Sequence, residues 1–197
     1  MNVFIKIILL LGLVSCASTY DKNIPVNKDN IQPGSNVTLG GKDVSLYKGK
    51  HPLKVGSNFV DLMKTINFPF EFNNKVTVIN VVPSIDTPVC EAQSHILGET
   101  DMLKKGIDLV SISRDLPMAQ KRFAKEAKLT NIRYLSDYAN GTFGRSTGVM
   151  MKEKELLARG VIVLDAKGYI RYMQFISEVT QLPDMVKAFE IANLLVK

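Results

Sequence analysis

Apolar and polar residues follow two periodicities over the C-terminal two-thirds of the chain. Uninterrupted β-branched runs are typical of strands that are buried on both faces of a sheet, whereas apolar residues spaced three or four apart are typical of helices. Strands are predicted over 75–82, 108–113, 132–135, 160–165 and 169–176, and helices over 88–105, 116–128, 140–147 and 183–195. This alternating order predicts an α/β domain with a central mixed sheet covered by helices.

The pattern is less regular before residue 75. Residues 37–46 place two short apolar runs around two consecutive glycines, which predicts a β-hairpin at the start of the folded domain. Residues 47–70 contain turn signals but no clear element. Residues 16–36 are rich in Asn, Asp, Lys, Ser and Pro, so we predict a flexible tether that precedes a single domain over 37–197.

The first fifteen residues are typical of a secretory signal. A short positively charged start is followed by the apolar run 7–14, which is too short for the roughly 20 residues of a membrane-spanning helix. Residues 13–17 resemble a bacterial lipobox, which would place a lipid on Cys16 after removal of residues 1–15. An ordinary secretory signal with an incidental cysteine is the alternative. We therefore predict a protein of the bacterial cell envelope, lipid-anchored to a membrane and facing the periplasm or the surface.

Charge and composition exclude several classes of function. The net charge is +6 at pH 7, but the basic residues are scattered and form no block interleaved with aromatic residues, so we expect no nucleic-acid partner. No glycine-rich nucleotide pattern occurs, and His51 and His95 lack the spacing of metal ligands, so we expect neither a cofactor nor a metal. His95 is predicted to be solvated, on a helix face that differs from that of Cys90.

Cys90 is the strongest candidate for chemistry. With Thr87 as the N-cap and Pro88 at the first helical position, Cys90 would be the third residue of the helix that follows strand 75–82. Unpaired backbone N–H groups and the helix dipole favour a thiolate there, and the thiolate is the nucleophilic form of cysteine. A small buried hydrophobic residue is the alternative interpretation of a free cysteine.

Residues 83–90, with the sequence Pro-Ser-Ile-Asp-Thr-Pro-Val-Cys, resemble the active-site signature of bacterial thiol peroxidases, a branch of the peroxiredoxins. Three further stretches resemble that branch in the same order: the hairpin 37–46, the second-helix segment 115–123 and the arginine-bearing strand 157–165. The similarity extends over roughly residues 35–197. It implies a thioredoxin-like fold with an N-terminal hairpin of the peroxiredoxin type. It also implies thiol-dependent reduction of hydrogen peroxide and organic hydroperoxides.

The resemblance implies a role for four residues. Cys90 would attack the peroxide as a thiolate and become a sulfenic acid. Arg159 would supply a permanent cation whose planar fork can bond the sulfur and a peroxide oxygen together. Thr87 would offer a hydroxyl to the Cys90 sulfur and to the peroxide, and Pro83 would form a rigid wall of the substrate pocket. Without the resemblance, Arg159 would be interpreted as a surface arginine, Thr87 as a helix N-cap and Pro83 as a strand terminator.

The chain departs from the family at Ala124. Most members of the thiol peroxidase branch carry a second, resolving cysteine at this position. We therefore expect a one-cysteine cycle, in which an external low-molecular-weight thiol or a thioredoxin-like reductant resolves the sulfenic acid at Cys90. The family also suggests a homodimer, although the sequence reveals no interface.

Three other functions compete with this one. A catalytically degenerate thioredoxin-fold envelope lipoprotein would act as an interaction or binding protein, and its Cys90 would react like an ordinary free thiol. A thiol–disulfide oxidoreductase would carry a Cys-x-x-Cys pair, which this chain lacks. A cysteine hydrolase would need His51 or His95 as a base beside Cys90.

Overall fold

The computed structural model describes residues 23–196. The predicted signal over 1–15 and the predicted lipidation site Cys16 lie outside the described residues, so both stay predictions. The strands are β1 (Asn36–Leu39), β2 (Lys42–Ser45), β3 (Thr77–Val81), β4 (Asp108–Ser113), β5 (Arg133–Ser136), β6 (Met150–Met151), β7 (Leu156–Leu157), β8 (Gly160–Leu164) and β9 (Ile170–Phe175). The helices are α1 (Phe59–Thr65), α2 (Pro88–Gly98), α3 (Pro117–Glu126), α4 (Thr142–Thr147) and α5 (Met185–Leu195).

A five-stranded mixed sheet lies at the centre, in the order β5-β4-β3-β8-β9. β3 pairs with β4 in parallel and with β8 in antiparallel orientation. The last residue of β3, Val81, is therefore paired with Gly160, the first residue of β8. This register brings the segment after β3 and the segment before β8 to the same end of the sheet. The predicted α/β fold and the predicted hairpin, formed by β1 and β2, are confirmed.

Both faces of the sheet are covered, so β3 is buried along its whole length. Successive side chains of a strand point to opposite faces. Val78 packs with Leu97 and Phe189 on one face, whereas Ile79 belongs to the cluster that contains Phe143 on the other face. All five residues of β3 are buried, so neither face of this strand has the regularly spaced exposed positions of a half-buried strand.

The structure contains two elements that the sequence pattern does not predict. Helix α1 begins after Asn58, whose side chain accepts a hydrogen bond from the backbone N–H of Asp61. It buries only Phe59 and Met63, one turn apart, and two apolar residues are too few to establish a helical period. The second element is the short hairpin of β6 and β7, whose residues Met150 and Met151 are fully buried.

Helix α2 ends at Gly98, seven residues before its predicted end. Tertiary hydrogen bonds hold the following segment as a loop against α5. The Asn193 side chain accepts from the backbone N–H of Lys104 and donates to the carbonyl of Met102. A local helical pattern does not reveal such partners, so the prediction extended the helix too far.

The described part of the predicted tether lies against the domain. Leu182 donates its backbone N–H to the Pro25 carbonyl, and its own carbonyl accepts from the N–H of Asn27. Farther along, Ile31 donates to the carbonyl of Phe175 in β9, which is the edge strand of the sheet. An edge strand presents unpaired backbone groups, and this segment satisfies some of them. The structure therefore differs from the predicted boundary at residue 37, because the chain is already bonded to the domain near residue 25.

Candidate active site

Cys90 occupies the third position of α2, as predicted. Thr87 is the N-cap residue with an extended backbone, and Pro88 is the first residue of the helix. The Cys90 side chain is fully buried and packs with Val82 and Ile85. The rings of Phe123 and Tyr134 complete this apolar environment. The first turn of a helix leaves backbone N–H groups without intrahelical acceptors, which favours negative charge on the sulfur.

Arg159 lies directly beside Cys90. Its Nη2 donates to the Cys90 Sγ across 3.2 Å, its Nη1 donates to the Gln93 Oε1 at 2.9 Å, and its Nε donates to the Val179 carbonyl at 2.7 Å. The side chain is only 2% exposed, so the interpretation as a surface arginine is wrong. A buried cation needs a counterion, and among the described residues none of these three acceptors is a carboxylate. The Cys90 thiolate is the anion that this arrangement can provide.

Gln93 and Asn80 form a buried polar support that the sequence reasoning missed. Both side chains are fully buried. The Gln93 Nε2 donates to the Asn80 Oδ1 and to the Gly160 carbonyl, each at 3.1 Å, and the Asn80 Nδ2 donates to the Gln93 carbonyl. This leaves the Gln93 Oε1 pointing at Arg159. The spacing of Gln93, three residues after Cys90 on one helix face, is the signal that could have identified it.

The loop that leads into α2 is fixed by Asp115. One carboxylate oxygen of Asp115 accepts from the Ser84 hydroxyl at 2.6 Å, and the other accepts from the backbone N–H of Ile85 at 2.8 Å. Asp115 belongs to a stretch that carries the family resemblance, but no role in the site was predicted for it. The structure shows that it holds the turn from which Cys90 projects.

Thr87 is an N-cap by backbone position only. Its hydroxyl donates to the Ser84 carbonyl at 3.2 Å and makes no capping bond to α2. The residue is exposed, so the hydroxyl oxygen keeps its acceptor capacity for another molecule. Within residues 23–196 the structure gives this hydroxyl no hydrogen bond to the Cys90 sulfur.

Pro83 is buried immediately after β3. The preceding residue, Val82, makes the last bond of the ladder by donating to the Ile112 carbonyl. A proline has no N–H and cannot continue such pairing, so Pro83 ends the strand and starts the loop. Its part in shaping a substrate pocket stays a prediction.

His95 is fully buried, so the prediction that it is solvated is wrong. Its Nδ1 lies 2.8 Å from the Glu99 Oε1, and its Nε2 lies 3.8 Å from the Glu91 Oε1. These partners at i±4 on the same helix allow a histidine to be buried among polar neighbours. The side chain that donates to the Cys90 sulfur is Arg159, which does not favour a cysteine hydrolase.

Residues 23–196 contain no group of three or more His, Cys, Asp or Glu side chains that could hold a metal ion. No helix in the same range combines the length and the apolar character that crossing a membrane requires.

Comparison with known proteins places this site in a family. The sequence profile of the Redoxin family matches residues 64–189, a range that includes both Cys90 and Arg159. The chain belongs to the Redoxin family. This redoxin is 38% identical over 164 residues to a thiol peroxidase of Bacillus subtilis, a match that covers 83% of this chain and 96% of that protein. It is 37% identical over 165 residues to a thiol peroxidase of Halalkalibacterium halodurans, covering 81% of this chain and 98% of that protein.

A solved structure supports the same relationship. The crystal structure of a peroxiredoxin-like protein from Aquifex aeolicus is 30% identical to this redoxin, with a TM-score of 0.69. The similarity covers 82% of this chain and 98% of that one. Together with the sequence relatives, it confirms the predicted thioredoxin-like fold and the resemblance to thiol peroxidases.

Proposed function

We infer that this redoxin is a thiol-dependent peroxidase in which Cys90 is the nucleophile. The observation that carries the inference is the 3.2 Å contact between the Arg159 Nη2 and the Cys90 Sγ in a fully buried site. A guanidinium fixed against a cysteine sulfur stabilises the thiolate and any negative charge that spreads from it onto an oxygen. The thiol peroxidases to which the chain is similar agree with this chemistry.

The reaction at Cys90 is a displacement on oxygen. The thiolate attacks the terminal oxygen of a hydroperoxide, the O–O bond breaks, and the sulfur leaves the step as a sulfenic acid. The departing hydroxide or alkoxide takes a proton from water and is released as water or an alcohol. Arg159 stabilises the charge that moves from sulfur to oxygen, and the exposed Thr87 hydroxyl can accept a hydrogen bond from the incoming peroxide.

The cycle proposed for the oxidised enzyme uses one protein cysteine. Cys90 is the only cysteine among residues 23–196, and Ala124 stands where the family has its resolving cysteine. The sulfenic acid therefore condenses with an external thiol, forming a mixed disulfide and releasing water. A second external thiol then attacks the mixed disulfide and regenerates the Cys90 thiol. The external reductant is a low-molecular-weight thiol or a thioredoxin-like protein.

The proposed location is the bacterial cell envelope, with a lipid on Cys16. Asn23, the first described residue, lies seven positions after Cys16, and a fully extended chain spans at most about 3.5 Å per residue. The anchor would then hold the domain within about 25 Å of the membrane surface. A homodimer is proposed on the family resemblance alone.

Peroxide consumption by purified residues 17–197 tests this function. With an added thiol, the wild-type protein should consume hydrogen peroxide, and mass spectrometry after a stoichiometric pulse should find a sulfenic acid on Cys90. Turnover that persists in Cys90→Ser would refute the role of this sulfur. A Cys90 that reacts no faster than a free cysteine would favour the degenerate interaction protein. A native disulfide between Cys16 and Cys90 in the full chain would overturn the external resolution step.

A further inference from the structure

Arg159 is also held by a backbone carbonyl, at a nitrogen other than the one that contacts the sulfur. Its Nε donates to Val179, which lies in the segment between β9 and α5. A guanidinium is planar, so fixing Nε and Nη1 determines where Nη2 points. The direction of the Nη2–H toward the Cys90 sulfur therefore depends on where the Val179 carbonyl and the Gln93 side chain are placed.

The segment that carries the Val179 carbonyl is bonded to the N-terminal hairpin. The backbone N–H of Val179 donates to the Thr38 carbonyl at 2.9 Å, and the N–H of Thr38 donates to the Ser177 carbonyl at 2.6 Å. Thr38 and Glu178 thus form a parallel bridge. The hairpin of β1 and β2, which is distant from Cys90 in sequence, is therefore hydrogen-bonded to the N–H of the residue whose carbonyl accepts from Arg159.

The Glu178 carboxylate fixes this junction. It accepts hydrogen bonds from five donors: the backbone N–H groups of Gly40 (3.0 Å), Gly41 (2.9 Å) and Thr180 (2.9 Å), and the hydroxyls of Thr38 (2.8 Å) and Thr180 (2.6 Å). Both glycines adopt positive φ angles, +60° and +76°, which allows their N–H groups to converge on one carboxylate. Burial alone would raise the pKa of Glu178, but these hydrogen bonds lower it to about 2. The carboxylate is consequently ionised throughout the neutral range.

We propose that Glu178 is a positioning residue for the peroxidase reaction, because it locks the segment whose Val179 carbonyl aims Arg159 at Cys90. This proposal rests on the function proposed above for Arg159. The alternative is a purely structural role, in which Glu178 stabilises the hairpin without affecting the reaction. Small displacements of a group that stabilises a transition state reduce the rate strongly, so the two roles differ in a measurable way.

Asp165 provides a matched control. It also caps a turn, accepting from the backbone N–H groups of Lys167 and Tyr169 and from the Arg171 side chain, but it follows β8 at the end of the sheet opposite Cys90. Burial would raise the pKa of Asp165, and its hydrogen bonds lower it below the ordinary value, as they do for Glu178. Replacement of either carboxylate should reduce the free energy of unfolding.

The experiment compares Glu178→Ala with Asp165→Ala in the full chain. The readouts are the second-order rate constant for oxidation of Cys90 by hydrogen peroxide in a single turnover and the free energy of unfolding in denaturant. We expect both variants to lose stability, but only Glu178→Ala to lose rate, by about tenfold. An unchanged rate in Glu178→Ala, with reduced stability, would establish the purely structural role and overturn the proposal.

A double-mutant cycle identifies the route of the effect. In the Arg159→Lys background, Glu178→Ala should lower the rate by less than twofold, because the group that it positions is already gone. A full tenfold loss in that background would show that Glu178 does not act through Arg159. If Arg159→Lys alone leaves the rate unchanged, the function proposed for Arg159 fails, and this outcome is distinct from failure at Glu178.

Two milder variants keep the test decisive if Glu178→Ala does not fold. Glu178→Gln retains one acceptor oxygen and should recover part of the rate. Thr180→Val removes one donor to the carboxylate and should lower the rate less than Glu178→Gln does. Folded Glu178→Gln and Thr180→Val proteins with wild-type rates would overturn the proposal.

Discussion

The two ends of the central sheet use an arginine in opposite ways. At the end that carries Cys90, Arg159 is buried and its hydrogen bonds go to two neutral oxygens and a sulfur. At the other end, the Arg171 side chain is 46% exposed and lies 2.6 Å from the Asp165 carboxylate. The charge of Arg171 is therefore already neutralised, whereas the charge of Arg159 is available to the sulfur. The position of carboxylates, more than the presence of an arginine, makes one end a candidate for chemistry.

The largest effect expected from this comparison is the loss of the sulfur itself. Cys90→Ser should abolish thiol-dependent peroxide consumption, because a hydroxyl is not ionised at neutral pH and cannot replace the thiolate. Consumption of hydrogen peroxide with an added thiol measures the loss, and circular dichroism checks that the variant is folded. Residual turnover above the rate of the thiol alone would contradict the assignment of Cys90.

Replacing each of the two arginines by lysine should have different effects at the two ends of the central sheet. Arg159→Lys should slow oxidation of Cys90 by about 100-fold or more, as is typical when one donor to a developing oxyanion is removed. Arg171→Lys keeps a cation beside Asp165 and should leave the rate within twofold of the wild type. Stopped-flow measurement of single-turnover oxidation checks both. Equal losses of oxidation rate in the two variants would mean that Arg159→Lys acts by destabilising the protein in general.

A carboxylate introduced beside Arg159 should make the active end resemble the other end. Gln93→Glu preserves the shape of the side chain that bonds the Arg159 Nη1 but adds a negative charge that competes with the thiolate. We expect oxidation of Cys90 to slow by about tenfold relative to Gln93→Leu, which removes the amide without adding charge. The same single-turnover assay compares them. If Gln93→Glu is as fast as Gln93→Leu, the availability of the arginine charge does not determine the rate.

The smallest predicted effect is shared by both ends and concerns acid stability. The pKa of Glu178 falls from 4.5 to about 2 on folding, and the pKa of Asp165 is also lowered. A carboxylate with a depressed folded-state pKa stabilises the protein above its unfolded pKa, and this contribution is lost as the pH falls from about 4.5 toward 2. Denaturant unfolding should therefore show a free energy that declines over this range. Glu178→Gln should flatten the decline, and an unaltered slope would show that this carboxylate is not specially stabilised.

The sequence predicts well those elements whose local pattern of apolar residues matches their burial in the folded protein. β4 covers the predicted residues 108–113, since its apolar run ends up in the sheet interior. Cys90 and Arg159 were identified through family motifs and are in contact in the structure. The prediction for His95 is wrong because a helix face that differs from that of Cys90 does not have to be solvated, and the partners that permit its burial are Glu91 and Glu99.

The supporting residues of the site could not be predicted in the same way. Gln93 and Asn80 are polar residues within apolar segments, and only the packing of α2 on β3 reveals that they bond each other. The sequence does not reveal the role of the Val179 carbonyl, because every residue of a chain offers the same backbone group. Its importance follows from the distance of 2.7 Å to the Arg159 Nε.

The sequence by itself determined the order of the main strands and helices, without α1 and the hairpin of β6 and β7, the position of Cys90 in the first turn of a helix, and the absence of the family's resolving cysteine at Ala124. These properties depend on residues close together in the chain or on residue identity. The tertiary structure decided that Arg159 is buried against the sulfur, that Gln93 and Val179 aim it, and that Glu178 ties this arrangement to the N-terminal hairpin. These properties depend on hydrogen bonds between segments separated by up to about 140 residues, and their geometry exists only after the sheet has formed.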